Sequence, residues 1–270
     1  MLTKKRIVTA LACAAALGVS GAALATPVNV DGVTWDTDSQ FNLQFQSLNL
    51  RETSISQVGD VLTGYGQIGS INSNNNFCQN CDLTFTFTYK VKAIDGLQVV
   101  FDSGSFQFYV GAAGSYDAGN PSSATTGTPW VTLSGHDSAN PAFLTQGQLY
   151  STVVGTAANP QNGSNGYGLV DATGGDAAPY LNIYQISDGM GGFANLTLNS
   201  SFLFQPANGC GTTPSTNLDN ICAYPIEGNG SLIGKPLAVP EPGEVGLLGL
   251  GVGLLGFFMW RRRKETDGRE

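Results

Sequence analysis

Residues 83–93 read Leu-Thr-Phe-Thr-Phe-Thr-Tyr-Lys-Val-Lys-Ala, with an apolar side chain at every odd position and a polar one at every even position. Successive side chains of a β-strand point to opposite faces. The segment therefore predicts a strand whose odd-numbered row, from Leu83 to Val91, packs in a core while the threonine and lysine row faces water. A strand with one buried and one solvated face is typical of antiparallel sheets.

The sequence around this strand continues the antiparallel pattern. Asp95-Gly96 suits a two-residue hairpin turn, and the apolar segment 97–101 follows it. A second turn is predicted at 102–104, before a third strand at 105–110, so that the region forms a three-stranded meander. Weaker alternating runs occur at 40–50, 58–71, 130–133, 149–154, 180–186 and 193–204.

Clusters of Gly, Asn, Ser and Pro separate these runs, as at 117–121 and 159–166. No part of the body sustains the apolar spacing of a helix over three turns. Many short strands joined by turn sequences predict an all-β fold, and we expect an antiparallel β-sandwich or jelly-roll-like domain. A parallel β-helix is the alternative, but the sequence shows no repeat of fixed period.

The first 25 residues have the composition of a secretory signal peptide. Cations at 4–6 precede a short apolar segment, and small residues including Ala23 and Ala25 follow. This order predicts a signal-peptide helix that signal peptidase removes before Thr26, after export by the Sec machinery. A retained membrane anchor is the alternative, but no stop-transfer pattern follows Thr26.

The exported body is acidic. Residues 26–242 contain 16 Asp or Glu and four Lys or Arg, which gives a formal charge of −12. Binding to a phosphate backbone or to anionic lipid requires clustered cations. We therefore expect no nucleic-acid partner.

Four cysteines remain after the signal peptide, which contains Cys13, is removed. An even number in an oxidising compartment favours two disulfides, and three pairings are open. We prefer two local loops over a four-thiolate zinc site, because eleven residues separate the second pair instead of the two typical of zinc knuckles. The preferred pairs are Cys78–Cys81 and Cys210–Cys222.

Catalytic chemistry is weakly signalled in the body. The single histidine, His136, lies in a polar segment without a nucleophile elbow, and we interpret it as a surface residue of a loop. No spacing distinguishes a pair of carboxylates suited to glycoside hydrolysis. The sequence therefore predicts a protein that is not an enzyme.

A cofactor is not predicted, although calcium has weak candidate ligands. Asp36 and Asp38 offer hard oxygen atoms, as do the Gly-rich segments 171–176 and 188–192, but none matches a twelve-residue calcium loop. Aromatic residues such as Trp35 and Trp130 would contact carbohydrate if they shared one face of the protein, whereas aromatic residues in strands belong mostly to the core.

The C-terminal region predicts a single transmembrane helix. Residues 245–260 are 16 uncharged apolar or Gly residues, which would form a helix of about 24 Å. Arg261, Arg262, Arg263 and Lys264 follow directly, and such cations stay on the cytoplasmic side. This stop-transfer pattern places the body outside the cytoplasm, and a buried core helix is the alternative.

The segment Val239-Pro240-Glu241-Pro242 precedes this span. The order of these parts, with the motif first, then the span and then the cations, resembles the PEP-CTERM sorting signal of Gram-negative bacteria. The resemblance covers residues 239–264. The resemblance implies that exosortase, a membrane-embedded cysteine protease, cuts near the Pro-Glu-Pro motif, which is then substrate and not catalyst. Two prolines would keep Glu241 in an extended segment that cannot join the helix. Members of that family are commonly surface or exopolysaccharide-associated proteins, and one group is linked with flocculation.

These features predict three regions, namely a signal peptide at 1–25, a β-rich domain at 26–237 and the sorting signal at 239–264. Within the domain, 208–237 is expected to be a turn-rich part. We expect a single-pass inner-membrane intermediate that is then released to the cell surface or extracellular matrix. The predicted role is structural or adhesive, with exopolysaccharide as a partner. The alternatives are a permanent anchor, a secreted polysaccharide hydrolase and a calcium-dependent carbohydrate-binding module.

Overall fold

The structure is a computed structural model that describes residues 27–36, 43–182 and 185–235. Helical structure within these ranges is limited to α1 (Ala178–Leu181) and the 3₁₀ turns Pro121–Thr125 and Ile221–Ala223. The strands are β1 (Val28–Val30), β2 (Val33–Trp35), β3 (Leu43–Glu52), β4 (Val61–Ile71), β5 (Cys81–Asp95), β6 (Gln98–Ala112), β7 (Thr128–His136), β8 (Leu149–Thr152), β9 (Gly155–Thr156), β10 (Asn159–Pro160), β11 (Ser164–Gly174), β12 (Ile186–Ser187), β13 (Phe193–Ala194), β14 (Leu196–Phe204) and β15 (Ile226–Gly234).

Nine of these strands form one antiparallel sheet, and eight of the nine close it into a ring. The order around the ring is β3, β4, β5, β6, β7, β11, β14 and β15, and β15 pairs with β3 to complete it. Like β7, β8 lies between β6 and β11. It pairs with 98–101 of β6 and with 165–168 of β11, which are segments that β7 does not reach. The result is a barrel-like sheet, and the other strands form two-stranded hairpins beside it.

The all-β class and the antiparallel pairing predicted from the sequence are confirmed, but the β-sandwich or jelly-roll arrangement is wrong. A sandwich consists of two sheets that face each other, whereas the pairings β11–β14 and β15–β3 join all these strands into one sheet. Both architectures need strands with one apolar face. Alternation along a strand therefore cannot distinguish them.

Aromatic side chains from β5 and β6 fill the barrel. The odd-numbered row of β5 is buried as predicted, and the rings of Phe87 and Phe106 lie 5.0 Å apart. On the opposite face Thr84 is also buried, because the 3₁₀ turn at Pro121–Thr125 covers it and the Thr84 hydroxyl donates to the Ala124 carbonyl oxygen at 2.7 Å. The segment 115–127 is thus packed on the outside of the barrel.

Two glycines of β4 make room for these rings. Gly64 pairs with Phe87 and Gly66 with Phe85. A Cβ atom at Gly64 would overlap the Phe87 ring and lie 2.8 Å from the Arg51 carbonyl oxygen. Because protein cores are close-packed, neither neighbour can move away without a cost.

The predicted second turn at 102–104 is instead a β-bulge within the continuous strand β6. Thr88 pairs with Ser105 and Lys90 with Asp102, so that one residue of β5 faces two residues of β6. Ser103 adopts a positive φ of 52° at this point. The turn-forming residues therefore bend the strand without ending it, and the meander becomes a long hairpin.

Three further segments differ from their predictions. The loop predicted at 159–166 contains the start of β11, and the strand predicted at 180–186 overlaps α1, with residues 183–184 outside the described part. The turn-rich part predicted at 208–237 contains β15, which closes the barrel. Gly228, Gly230 and Gly234 interrupt the apolar alternation in β15, and this hides the strand from a pattern based on hydrophobicity.

Disulfides join Cys78 to Cys81 and Cys210 to Cys222. This is the pairing favoured by the sequence. The first bond closes the turn that enters β5, and the second ties the loop between β14 and β15.

Gly64→Ala should lower the free energy of unfolding by about 1–3 kcal/mol, because the added methyl group overpacks the site beside Phe87. Urea denaturation of both proteins measures the difference. Gly174→Ala is the matched control, since a Cβ atom there meets no atom within 4 Å. Equal losses in the two variants would mean that the close approach to Phe87 does not limit residue size at position 64.

Candidate functional site

A cavity of about 50 Å³ lies inside the barrel. Its wall is mostly apolar and includes the rings of Phe85, Phe87, Tyr89, Phe106 and Phe108. Leucine and isoleucine side chains complete much of the rest, together with several serines. The cavity is therefore a small hydrophobic space with a few hydroxyl groups on its wall.

Glu52, the last residue of β3, is the charged residue on the wall of this cavity. The residue is 6% exposed, and no neighbouring charge or hydrogen bond acts on the ionisation of its carboxyl group. Burial alone raises the pKa of Glu52 to about 7. An unpaired buried carboxyl is costly, because its charged form has lost water and gained no partner.

Tyr89 is a second polar residue on the same wall. It is fully buried, and its hydroxyl group has no hydrogen-bond partner among the described residues. Burial raises the pKa of Tyr89, so the phenol stays neutral at physiological pH. The cavity wall thus contains two polar groups whose hydrogen-bonding capacity the protein itself does not use.

A bulge in β3 places Glu52 inside the barrel. Leu43 and Phe45 are buried at odd positions, whereas Leu50 and Glu52 are buried at even positions. Between these two pairs of residues, the three residues 47–49 of β3 lie opposite only two residues of β15, 229–230. A slip of one residue reverses which side chains face the core, so Glu52 points inward and its neighbour Arg51 points outward.

Side-chain oxygens replace part of the strand pairing at this bulge. The Gly230 backbone N–H donates to the Ser47 hydroxyl at 2.7 Å, and the Gln67 N–H donates to the Asn49 amide oxygen at 3.2 Å. Leu48, between Ser47 and Asn49, is 68% exposed. The wall of the barrel is therefore irregular on both edges of β3 here.

The same region separates the cavity from a polar groove on the outer surface. The groove contains Gln46, Asn199 and Asn229. Four small residues line both the groove and the cavity, namely Ser47, Ser200, Gly230 and Ser231. The residues between the interior and the solvent at this point are thus three serines and one glycine.

A second cluster of titratable groups surrounds His136 at the end of β7. The His136 Nδ1 atom lies 2.6 Å from Asp171 Oδ2, and Nε2 lies 3.4 Å from Asp188 Oδ2. Asp171 belongs to β11, and Asp188 directly follows β12. The histidine therefore joins two strands of the barrel to the β12–β13 hairpin.

Both aspartates of this cluster have further bonds to the backbone. Asp171 accepts from the Asn195 N–H at 3.1 Å, and Asp188 accepts from Met190 at 2.7 Å and from Gly192 at 2.9 Å. These backbone bonds, that of Met190 first, lower the pKa of Asp188, and His136 adds to the effect. The cluster is thus a connected hydrogen-bond network.

Partial burial disfavours the charged form of His136, but the hydrogen bonds and charges of Asp171 and Asp188 outweigh it and raise its pKa. The interpretation of His136 as a surface residue of a polar loop is corrected here, since it ends a strand and is partly buried between carboxylates. Both ring nitrogens are occupied by these contacts, which suits a bracing role. The sequence does contain a signal that His136 belongs to a strand, because the polar residues of β7 occupy alternate positions up to His136.

Among the weak calcium candidates, Asp171 and Asp188 lie on either side of His136. Asp38 lies outside the described residues. Asp36 ends the first described segment, where its backbone carbonyl oxygen accepts from the Asn72 amide at 3.2 Å. Within 27–36, 43–182 and 185–235, no group of three or more His, Cys, Asp or Glu side chains is arranged to hold a metal ion.

Residues 238–264 match the model described as the PEP-CTERM protein-sorting motif. The chain carries a PEP-CTERM motif. No curated protein and no solved structure matches the chain, so the barrel has no family assignment.

The PEP-CTERM motif implies an exported protein that exosortase processes. The predicted sorting residues Val239, Pro240, Glu241 and Pro242 and the cations Arg261, Arg262, Arg263 and Lys264 all fall within the matched region. They lie outside the described residues, as do the predicted span 245–260 and the cleavage-site residues Ala23, Ala25 and Thr26.

The described residues offer no helix that is both long and apolar enough to cross a membrane.

Glu52→Gln should stabilise the protein at high pH. A carboxyl whose pKa rises from 4.5 to about 7 on folding costs the folded state about 3 kcal/mol above pH 7. This loss of stability begins as the pH rises through 4.5, the pKa of the carboxyl in the unfolded chain. It is complete above the pKa of about 7 in the folded protein. We expect the variant to gain up to this amount at pH 8 and nothing at pH 4, measured by urea denaturation.

Glu227→Gln is the control for this experiment. Glu227 is a half-exposed residue that pairs with Arg51 on the outside of the barrel at 2.9 Å. Its replacement should give no stabilisation at pH 8. A Glu52→Gln variant that is no more stable than the natural protein at pH 8 would show that the carboxyl is not buried without a partner.

His136→Gln should remove a pH-dependent contribution to stability. Because the pKa of His136 is raised in the folded state, its ion pairs stabilise the protein fully below about pH 6.5. This contribution to stability is lost as the pH rises through the raised pKa that His136 has in the folded protein. The lowered pKa of Asp188 preserves the pair until strongly acidic pH.

Thermal unfolding of both proteins between pH 5 and pH 9 tests this expectation. The difference in Tm should be largest at the acidic end and shrink toward pH 9. Asp137→Asn, an exposed neighbour of His136, is the control and should leave the profile unchanged. A difference that is constant with pH would mean that folding does not raise the pKa of His136.

Proposed function

We propose that this protein is a structural or adhesive component of the cell envelope or exopolysaccharide matrix, released from the inner membrane by cleavage near Pro240–Pro242. The observation that carries the proposal is the PEP-CTERM motif at 238–264, which directs export and processing. In this role the tail is a substrate of exosortase, and the barrel is the part delivered outside. The span at 245–260 would serve as the transient anchor.

Properties of the barrel support a role outside the cytoplasm. Two disulfides lie in its loops, and disulfides persist in oxidising compartments. The body carries a formal charge of −12, which keeps such a protein soluble and away from anionic surfaces. A closed sheet also leaves few strand edges for uncontrolled pairing with other chains.

We propose that the protein works without catalysis and without a resident cofactor. The support is the use of its single histidine. His136 contacts a carboxylate at each ring nitrogen, so neither nitrogen is directed at a hydroxyl or thiol nucleophile, as a catalytic triad requires. Asp171 and Asp188 flank this histidine instead of facing each other across an open cleft.

Deletion of 239–270 should separate processing from folding. With the natural tail, the intact mass of the mature protein should correspond to a chain that begins at Thr26 and ends near Pro242. The deleted form should fold but lose its membrane intermediate, and cells that express it should lose aggregation that depends on this protein. Cell fractionation, intact-mass measurement and a sedimentation assay follow these effects.

A variant with Pro240→Ala and Pro242→Ala is the control, because it retains the span and the cations. It should accumulate in the inner membrane with an intact tail if the proline motif is the recognition element. A mature natural protein that retains residues beyond 260 would refute processing and indicate a permanent anchor. Unchanged cell aggregation after correct processing is lost would refute the adhesive role.

A further inference from the structure

We propose that the barrel cavity around Glu52 binds a small organic ammonium ion, either free or as the end of a larger molecule. Three features of the described residues support this inference. They are an unpaired carboxyl on an apolar wall, aromatic rings around it, and a thin polar section of wall beside it.

The carboxyl is the first step of the argument. Glu52 costs the folded state stability and makes no ion pair or hydrogen bond to repay that cost. Arg51, the adjacent cation, lies on the other face of the strand and bonds to Glu227 and to the Gln205 carbonyl oxygen at 3.2 Å. A destabilising group that the protein does not satisfy is typical of a functional site. Its natural partner is a cation that comes from outside the chain.

The aromatic wall is the second step. Phe85, Phe87, Tyr89, Phe106 and Phe108 all line the cavity. The faces of aromatic rings attract ammonium ions, and the attraction is strongest where water is excluded. The Ser151 hydroxyl on the same wall offers a further acceptor for an ammonium N–H. Anions are disfavoured, because the ionised carboxyl and the net charge of the body both repel them.

The size and position of the cavity are the third step. A volume of about 50 Å³ exceeds the roughly 10–15 Å³ that a cavity needs to hold one water molecule. A group of two or three heavy atoms therefore fits. Ser47, Ser200, Gly230 and Ser231 separate the cavity from the outer groove. Entry at this irregular section of wall would leave the remainder of a larger molecule among the amides of the groove.

Ionisation of Glu52 should control this binding. Glu52 and Tyr89 are the titratable residues among those that line the cavity, and Tyr89 stays neutral. An ammonium ion binds the ionised carboxylate, whereas an uncharged ligand gains nothing from ionisation. The ionised fraction of a group whose pKa is about 7 rises from about one tenth at pH 6 to nine tenths at pH 8. Affinity for ammonium should therefore rise about tenfold over this interval.

The test uses three probes that each have three non-hydrogen atoms but differ in charge, namely ethylammonium, ethanol and formate. Each is titrated into the purified full chain with labelled leucine methyl groups, and NMR shifts of Leu62 and Leu149, which line the cavity, report binding. We expect ethylammonium to bind at least tenfold more tightly at pH 8 than the other two probes. Its affinity should fall about tenfold at pH 6.

Two matched variant pairs locate the site. Glu52→Gln should weaken ethylammonium binding at least tenfold and abolish its pH dependence, whereas Glu227→Gln should change neither. Ser200→Leu should block the cavity, whereas Ser201→Leu, at the next residue of β14, alters only the outer groove. The stability of each variant is measured in parallel, so that a misfolded protein is not mistaken for one that cannot bind.

Several outcomes would overturn the proposal. Ethanol that binds as tightly as ethylammonium would show an apolar cavity without selection for charge. If ethylammonium still binds the Glu52→Gln variant, the probe lies elsewhere. The same conclusion follows if Ser201→Leu weakens binding as much as Ser200→Leu does. Absence of shifts with all three probes in the correctly folded protein would mean that the cavity is not a binding site.

Discussion

Closure of the sheet is the constraint on which the rest of this structure depends. β15 pairs with β14 over its whole length and with β3 on its other side, so it completes the ring of strand pairs. Closure also sets the interior volume that the side chains must fill. This is why residue size is so restricted on the inner face, with Gly64 opposite Phe87.

The bulge in β3 links this architecture to the candidate site. Had the alternation of Leu43 and Phe45 continued, Arg51 would face the interior and Glu52 the solvent. The extra residue reverses the phase, so a single local irregularity both brings a carboxyl into the cavity and thins the wall beside it. A barrel can carry such a defect because the remaining ladder holds the two strands in register on either side.

Sequence patterns predicted what is local and missed what depends on distant partners. The strand that contains Phe85 and Phe87 follows from strict alternation, and the PEP-CTERM motif follows from the order of its parts. Closure could not be predicted, because inward rows look alike in a sandwich and in a barrel. The burial of Glu52 depends on the bulge in β3, which the sequence does not indicate. Leu48 lies in this bulge, and as an apolar residue it would be expected to face the core, although it is exposed. The network of His136 escaped notice because Asp171 and Asp188 are remote in sequence.

The position of β15 in the ring has a consequence for the order of events during biogenesis. β3 is the first strand of the ring to be synthesised and β15 is the last, yet the two are neighbours. Until Ile226–Gly234 leaves the export channel, β3 and β14 each keep an unpaired edge. The barrel can therefore close only after Ile226–Gly234 has been translocated, when most of the body is already outside.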